Sequence, residues 1–287
     1  MGKASRRQNR AAAAAKPKRQ QVPFVERPFE GIVGETELVA MREILPMAKA
    51  GVTLRDGTEV LLVTLLPDQI PALRREDGSI VVAMQSRMSS GDASRDIAHA
   101  IEEALTIEPG TALLLSDLPE PGNRLQDLLA DGTEIVIELT EDFDFWIDPA
   151  TERTAELTDA LREASEAAVP MAGVEGQVSA YWARMGKEFL RWIRPENENE
   201  LLTALTRLQA RRETDLEEGA RLIGAFRACG LLVPVWELVP GTEADEVTQP
   251  AAEFEERLQA ALRVKEPLTP DEKRVRDGLI SRQVNLR

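Results

Sequence analysis

Histidine and cysteine are nearly absent from this chain of 287 residues: there is one of each, His99 and Cys229. A single cysteine excludes an intramolecular disulfide and fits a reducing cytoplasm. One Cys and one His cannot fill the tetrahedral nitrogen and sulfur set of a structural zinc. A Ser-His-Asp triad or a two-histidine metal site would have to be built on His99 alone. His99 lies beside the Ile97/Ile101 stripe of a predicted helix and Cys229 at the tip of a predicted hairpin, so both read as structural. Arg227 beside Cys229 is the one feature that would lower its thiol pKa. Aromatic residues make up only 4%, which leaves Leu, Val, Ile and Ala to fill the core. No uninterrupted apolar run approaches the roughly 20 residues of a membrane span. Ala11–Ala15, followed by Lys16-Pro17-Lys18, is no signal-peptide core. The expected location is the cytoplasm, with no cofactor and no metal.

Acid is what the chain has in excess, with a net charge of −15, and the charge is unevenly spread. Residues 1–20 hold Lys3, Arg6, Arg7, Arg10, Lys16, Lys18 and Arg19 and no acid. That leaves 28 of the 35 basic residues against all 50 acidic ones, a net of −22 for the remainder. Such a body repels nucleic acid from most of its surface. Contact with RNA, the ribosome or an anionic membrane would run through Arg6, Arg7, Arg10, Lys16, Lys18 and Arg19 in residues 1–22, which lack apolar periodicity and read as a disordered tail.

Beyond the tail, the chain reads as α+β: two related units of antiparallel sheet backed by helices. The divisions are a first unit at 23–107, a connector with strands at 108–150, a second unit at 151–264 and an extension at 265–287. Pro23–Gly34 is an extended leading segment anchored by Phe24 and Phe29. Helices are predicted over Thr36–Leu45, Asp92–Leu105, Arg124–Ala130, Thr154–Ala168, Asn197–Ala210 and Pro250–Leu262, with a helical start at Thr269. Asp56-Gly57 and Asp77-Gly78 mark turns leading into the strands Val60–Leu66 and Ile80–Met84. Thr111–Leu115 and Ile135–Leu139 read as further strands. Val178–Ala183 pairs with Phe189–Ile193, and Leu222–Val235 forms a hairpin.

The relatedness rests on position. Ile97, Ile101, Ala104 and Leu105 match Phe254, Leu258, Ala261 and Leu262 at spacing i, i+4, i+7, i+8, one apolar face of a helix. Upstream, Ile44-Leu45-Pro46-Met47-Ala48 echoes Ala168-Val169-Pro170-Met171-Ala172.

Two motifs come near to chemistry. Asp142, Asp144 and Asp148 have the first, third and seventh spacing of a calcium loop, but Ile147 replaces the glycine at the sixth position and Arg153 the closing glutamate. The alternative is a strand with an acidic face, on which Trp146 stands exposed between carboxylates. Ser90-Gly91-Asp92-Ala93-Ser94-Arg95 precedes a helix N-terminus and offers N–H groups and Arg95 to an anion. It lacks a Walker lysine, and Asp92 reads as an N-cap. Trp146, Arg95, Arg227 and Trp236 are the candidate partner-binding residues.

The segments Arg27-Pro28-Phe29-Glu30-Gly31, Ser90–Asp96, Phe143–Trp146, Phe226–Trp236 and Leu279–Arg287 resemble an actinobacterial family of unknown function. Its members have carried the labels preprotein translocase and topoisomerase, whose motor and cleavage motifs are missing here. The element order of the second unit is also similar to the type III secretion chaperone-like domain, which implies a helix-backed sheet holding extended segments of a client. The leading expectation is therefore a non-enzymatic, chaperone-like binding protein with a protein partner. The alternative is a ribosome- or RNA-associated protein tethered by its tail. An enzyme using carboxylates and arginines is a third class, for which the residues single out no pair.

Overall fold

The structure, a computed structural model, describes residues 19–114 and 117–281. The tail residues Arg6, Arg7, Arg10, Lys16 and Lys18 lie outside the described residues. The chain forms seven helices and two sheets within the described residues, an α+β arrangement.

The first sheet is built from β1 (Ala48–Thr53), β2 (Glu59–Leu65), β3 (Ala72–Arg74), β4 (Ile80–Gln85), β5 (Thr111–Leu113) and β6 (Glu138–Leu139), in the order β5-β3-β4-β2-β1-β6. Both Asp-Gly turns close as expected. Asp56 and Asp77 accept from the backbone N–H two residues on, at 2.9 and 2.8 Å. Gly57 and Gly78 take the left-handed conformation there. The central strands are aliphatic on both faces because both faces are covered. Leu62, Val82 and Met84 belong to a core shared with α1 (Glu35–Glu43) and α2 (Ala93–Ala104). Val63, Val81 and Ala83 pack instead under Phe143, Phe145 and Leu161 of the connector and the next helix.

The second sheet contains β7 (Met171–Gly173), β8 (Ala180–Arg184), β9 (Glu188–Trp192), β10 (Arg221–Ala228) and β11 (Leu231–Glu237), all antiparallel, in the order β10-β11-β9-β8-β7. One face is covered by α5 (Glu198–Arg211) and α6 (Thr248–Leu262), with α7 (Pro270–Ser281) packed on α5. Much of the scarce aromatic content is concentrated there. Trp192, Trp236 and Phe254 are fully buried against one another, Trp236 and Phe254 edge to face at 4.9 Å.

The other face of this sheet does not end the molecule. Tyr181, Ile193, Phe226, Leu231 and Val233 join the same core as α1 and the first sheet. Helix α1 is consequently buried at Thr36 and at the four positions Leu38–Met41 in a row, the pattern of a helix sandwiched between two layers. Ser179 and Tyr181 bond Thr36 and Glu37 on it, at 2.8 and 2.6 Å.

The two halves share a strand order and differ in strand direction. The run β3-β4-β2-β1 corresponds to β10-β11-β9-β8, but β4 is parallel to β2 whereas β11 is antiparallel to β9. The linkers explain this. A single 3-10 turn, Pro67–Gln69, joins β2 to β3, so β3 starts at the end where β2 finished. Between β9 and β10 stands α5, 14 residues and about 21 Å long, enough to carry the chain back along the sheet and turn the hairpin end for end. Of the matched apolar positions, Ile97, Ile101 and Ala104 are buried, as are Phe254, Leu258 and Ala261; Leu105 is instead exposed and Leu262 only partly covered.

Other expectations are corrected. Phe143–Asp148 is not a strand but a turn into a 3-10 helix, Asp144–Trp146, which lets Phe143 and Phe145 both reach the sheet. The predicted strand at 135–139 shrinks to β6, and β7 follows the Pro170 break unannounced by any long apolar run. Phe24 is exposed, leaving Phe29, fully buried, as the anchor of the leading segment. The helix expected over Arg124–Ala130 forms as the short α3 (Leu125–Leu128), and α4 (Ala155–Glu166) buries only Leu161. The C-terminal helix runs on to Ser281.

Candidate binding groove

Three of the four candidate partner-binding residues are structural. Trp236 is buried, and its Nε1 donates to the Thr214 carbonyl at 2.8 Å. Trp146 is not on an exposed acidic face: it stacks on Phe143 with centroids 4.1 Å apart, and its Nε1 donates to the Leu65 carbonyl at 2.8 Å. Arg95 is buried at the N-terminal end of α2, where it donates to the Glu120 and Asn123 carbonyls and to Glu102. Gly122 makes that possible, since a Cβ there would come within 2.9 Å of the guanidinium. Arg227 is partly exposed and donates to Glu198. Arg19, the one described residue among the tail's candidate cations, pairs with Asp117 at 3.0 Å.

The two motifs are likewise filled by the chain itself. Asp92 caps α2 by accepting from the Ser94 N–H at 3.0 Å, and its carboxylate also accepts from Arg124 at 2.7 Å. Asp96 accepts from the Ser90 N–H, so two carboxylates occupy the place an anion would take. Asp144 is gripped by Arg153, while Asp148 accepts from the N–H groups of Glu76 and Ala150. No group of three His, Cys, Asp or Glu side chains among the described residues is arranged to hold a metal. Burial and the nearby Glu43 push the Cys229 thiol up to about 12, opposite to the direction Arg227 would have driven it. Burial, then Arg95, lowers the pKa of His99, whose Nδ1 lies 3.9 Å from Glu103.

A groove of about 520 Å3 lies at the seam of the two sheets. It is lined by Pro46 and Met47, by Leu139 and Thr140 of the β6 region, by Val169 and Pro170, and by β7 and Trp182. All three hydrophobic clusters reach it: Leu139 and Met171 belong to the shared core, Ala172 to the second sheet's core, and Met47 to the connector's. Two sheet edges meet here, since β6 ends the first sheet and β7 the second.

The hydrogen-bond alternation fixes what those edges offer. On β7, the Pro170 carbonyl accepts from Arg184 N–H and Val174 N–H donates to the Ala180 carbonyl. The intervening odd positions, Met171 and Gly173, therefore direct their N–H and C=O away from β8. On β6, Thr140 N–H donates to the Met47 carbonyl, so Leu139, paired with Ala48, points its own peptide groups outward. The Thr140 Oγ1 is buried there without a hydrogen-bond partner. Gly173 leaves the gap open: a Cβ on it would meet only Leu139 Cδ1, at 3.6 Å.

Neither edge was legible as such in the sequence, yet a signal for the groove was present. The echoed segments around Pro46-Met47 and Pro170-Met171 both line it.

Fold and groove together define a two-sheet α+β protein with paired open strand edges. Residues 28–287 match the family of unknown function DUF5926, and the chain belongs to that family. No curated protein matches the chain, and no solved structure does.

Proposed function

We propose that this is a non-enzymatic cytoplasmic binding protein, chaperone-like in its mode of action, which holds an extended segment of a protein partner in the groove between β6 and β7. The observation that carries the reading is the unclaimed peptide groups of Met171, Gly173 and Leu139 opening onto one apolar groove. An exposed strand edge is a template for a further strand, and main-chain pairing with apolar pockets is how extended peptides are held by sheets. The volume falls within the range of about 300–1,000 Å3 common to binding sites. The occupied state of the Asp and Arg clusters supports binding over catalysis, because each charged group already serves the fold. Nothing among the described residues favours the RNA or ribosome reading, since Arg19 is engaged by Asp117.

The test is hydrogen exchange on the full chain with a synthetic peptide of alternating valine and threonine. Binding in the groove slows exchange of the Met171, Gly173 and Leu139 amides, and Gly173→Leu, which fills the gap, removes the effect. Unchanged exchange at all three amides at millimolar peptide would sink this reading.

A further inference from the structure

The groove does not end at Thr140. Glu141, Ser165 and Glu166 line it and also line a second depression of about 420 Å3, whose other walls include Asp142, Asp144, Arg153 and Arg162. The two form one trough, apolar along the strand edges and acidic beyond them. Both arginines in the acidic part are already committed: Arg153 to Asp144 at 2.7 Å, and Arg162 to Glu166 at 2.9 Å and to Asp159 at 3.5 Å. Glu141, at the joint of the two depressions, is exposed and has no cation against it. Asp142 accepts from the Asp144 N–H and lies in the field of Arg153, which Asp144 already holds. The wall beyond is α4, which brings Arg162 and Glu166 to it.

Resting on the groove reading above, we infer that the occupant is an extended protein segment of two parts: a short apolar stretch that pairs with the β6 and β7 edges, followed or preceded by lysine or arginine residues that lie in the acidic trough. The argument is charge complementarity with direction. β6 enters the trough at its C-terminal end through Thr140 and Glu141, and β7 leaves it at its N-terminal end through Val169 and Pro170. A strand added along either edge must therefore extend one of its ends over Glu141 and Glu166. An acidic extension there meets the unpaired Glu141 in a depression whose four carboxylates, Glu141, Asp142, Asp144 and Glu166, outnumber its two arginines; a cationic one supplies the counter-charge that Glu141 lacks. Exposed charges of this kind steer and select a partner more than they hold it, and the apolar stretch supplies the holding.

The experiment uses the full chain and three peptides with the same valine-threonine core, extended by four lysines, four serines or four glutamates. At low salt the lysine peptide should bind about tenfold more tightly than the serine peptide, with the glutamate peptide weakest, a spread that shrinks as salt screens exposed charges. Glu141→Lys with Glu166→Lys, both at exposed positions, should bring the lysine peptide to the serine peptide's affinity and leave the serine peptide unchanged. Gly173→Leu should weaken both. Equal binding of the lysine and serine peptides overturns the cationic part while leaving the groove reading standing. Failure of all three peptides to bind overturns both. Lysine-peptide binding that ignores Gly173→Leu places the contact elsewhere and also overturns the inference.

Discussion

The phenol of Tyr181 lies 2.6 Å from Oε2 of Glu37, so a strand of the second sheet is tied to the helix that backs the first. The bond sits beside Ser179–Thr36 and within a core common to both halves, which makes the two halves one folding unit. Tyr181→Phe leaves a part-buried carboxylate without its donor and should cost about 1–3 kcal/mol. Urea unfolding followed separately by tryptophan fluorescence and far-ultraviolet dichroism should remain one coincident transition. Two separated transitions in the unmutated protein would contradict a shared core.

The same phenol predicts an alkaline limit. Burial, then Glu37, raises the Tyr181 pKa above the ordinary 10.0. The unfolded chain loses this proton first, so the contribution is complete below about pH 10 and declines as pH rises beyond it. A stability-against-pH curve should fall more shallowly above pH 10 in Tyr181→Phe than in the unmutated protein. Parallel curves would mean that the phenol is not protected.

Cys229 should be a slow thiol. With its pKa held at about 12 rather than 9.0, the thiolate fraction near pH 8 falls on the order of a thousandfold below that of an ordinary cysteine. Reaction with a disulfide reagent should slow accordingly and approach the ordinary rate in urea. A native rate equal to the unfolded one would place the thiol in solvent.

Asp92 carries two duties that substitution can separate. Asp92→Asn keeps an acceptor for the Ser94 N–H but loses the charge facing Arg124; Asp92→Ala loses both. The expected costs are about 1–2 kcal/mol for Asn and about 3 kcal/mol for Ala, read from denaturant midpoints. Equal costs would mean that the cap contributes nothing.

Trp236→Ala should cost about 3–5 kcal/mol, because the indole fills the space between Trp192 and Phe254 and its N–H serves Thr214. Trp146→Phe should cost about 1 kcal/mol through the bond to Leu65. Thermal unfolding measures both. An unchanged midpoint for Trp236→Ala would return that residue to the surface.

How much was readable follows a physical division. Spacing within one segment sets which residues share a face, and caps and turns act over two to four residues. Hence α1, α2, α5, the Asp92 cap and the Asp-Gly turns all stand close to where their local patterns put them. The apolar face of α2 is local in the same sense. What covers a face is not local. Trp146 and Trp236 needed the whole fold to become core, and Arg95 needed the carbonyls of residues 120 and 123 to become a strut. The direction of the β10/β11 hairpin was decided by the length of α5 against the sheet it crosses. The groove, too, exists only in three dimensions. The echo around Pro46 and Pro170 was present in the chain, but that one copy leads into β1, covered by β6, and the other into the open edge β7 depends on hydrogen-bond pairing between residues far apart in sequence. Composition alone made zinc, disulfide and histidine-pair chemistry implausible; packing alone opened the trough between β6 and β7.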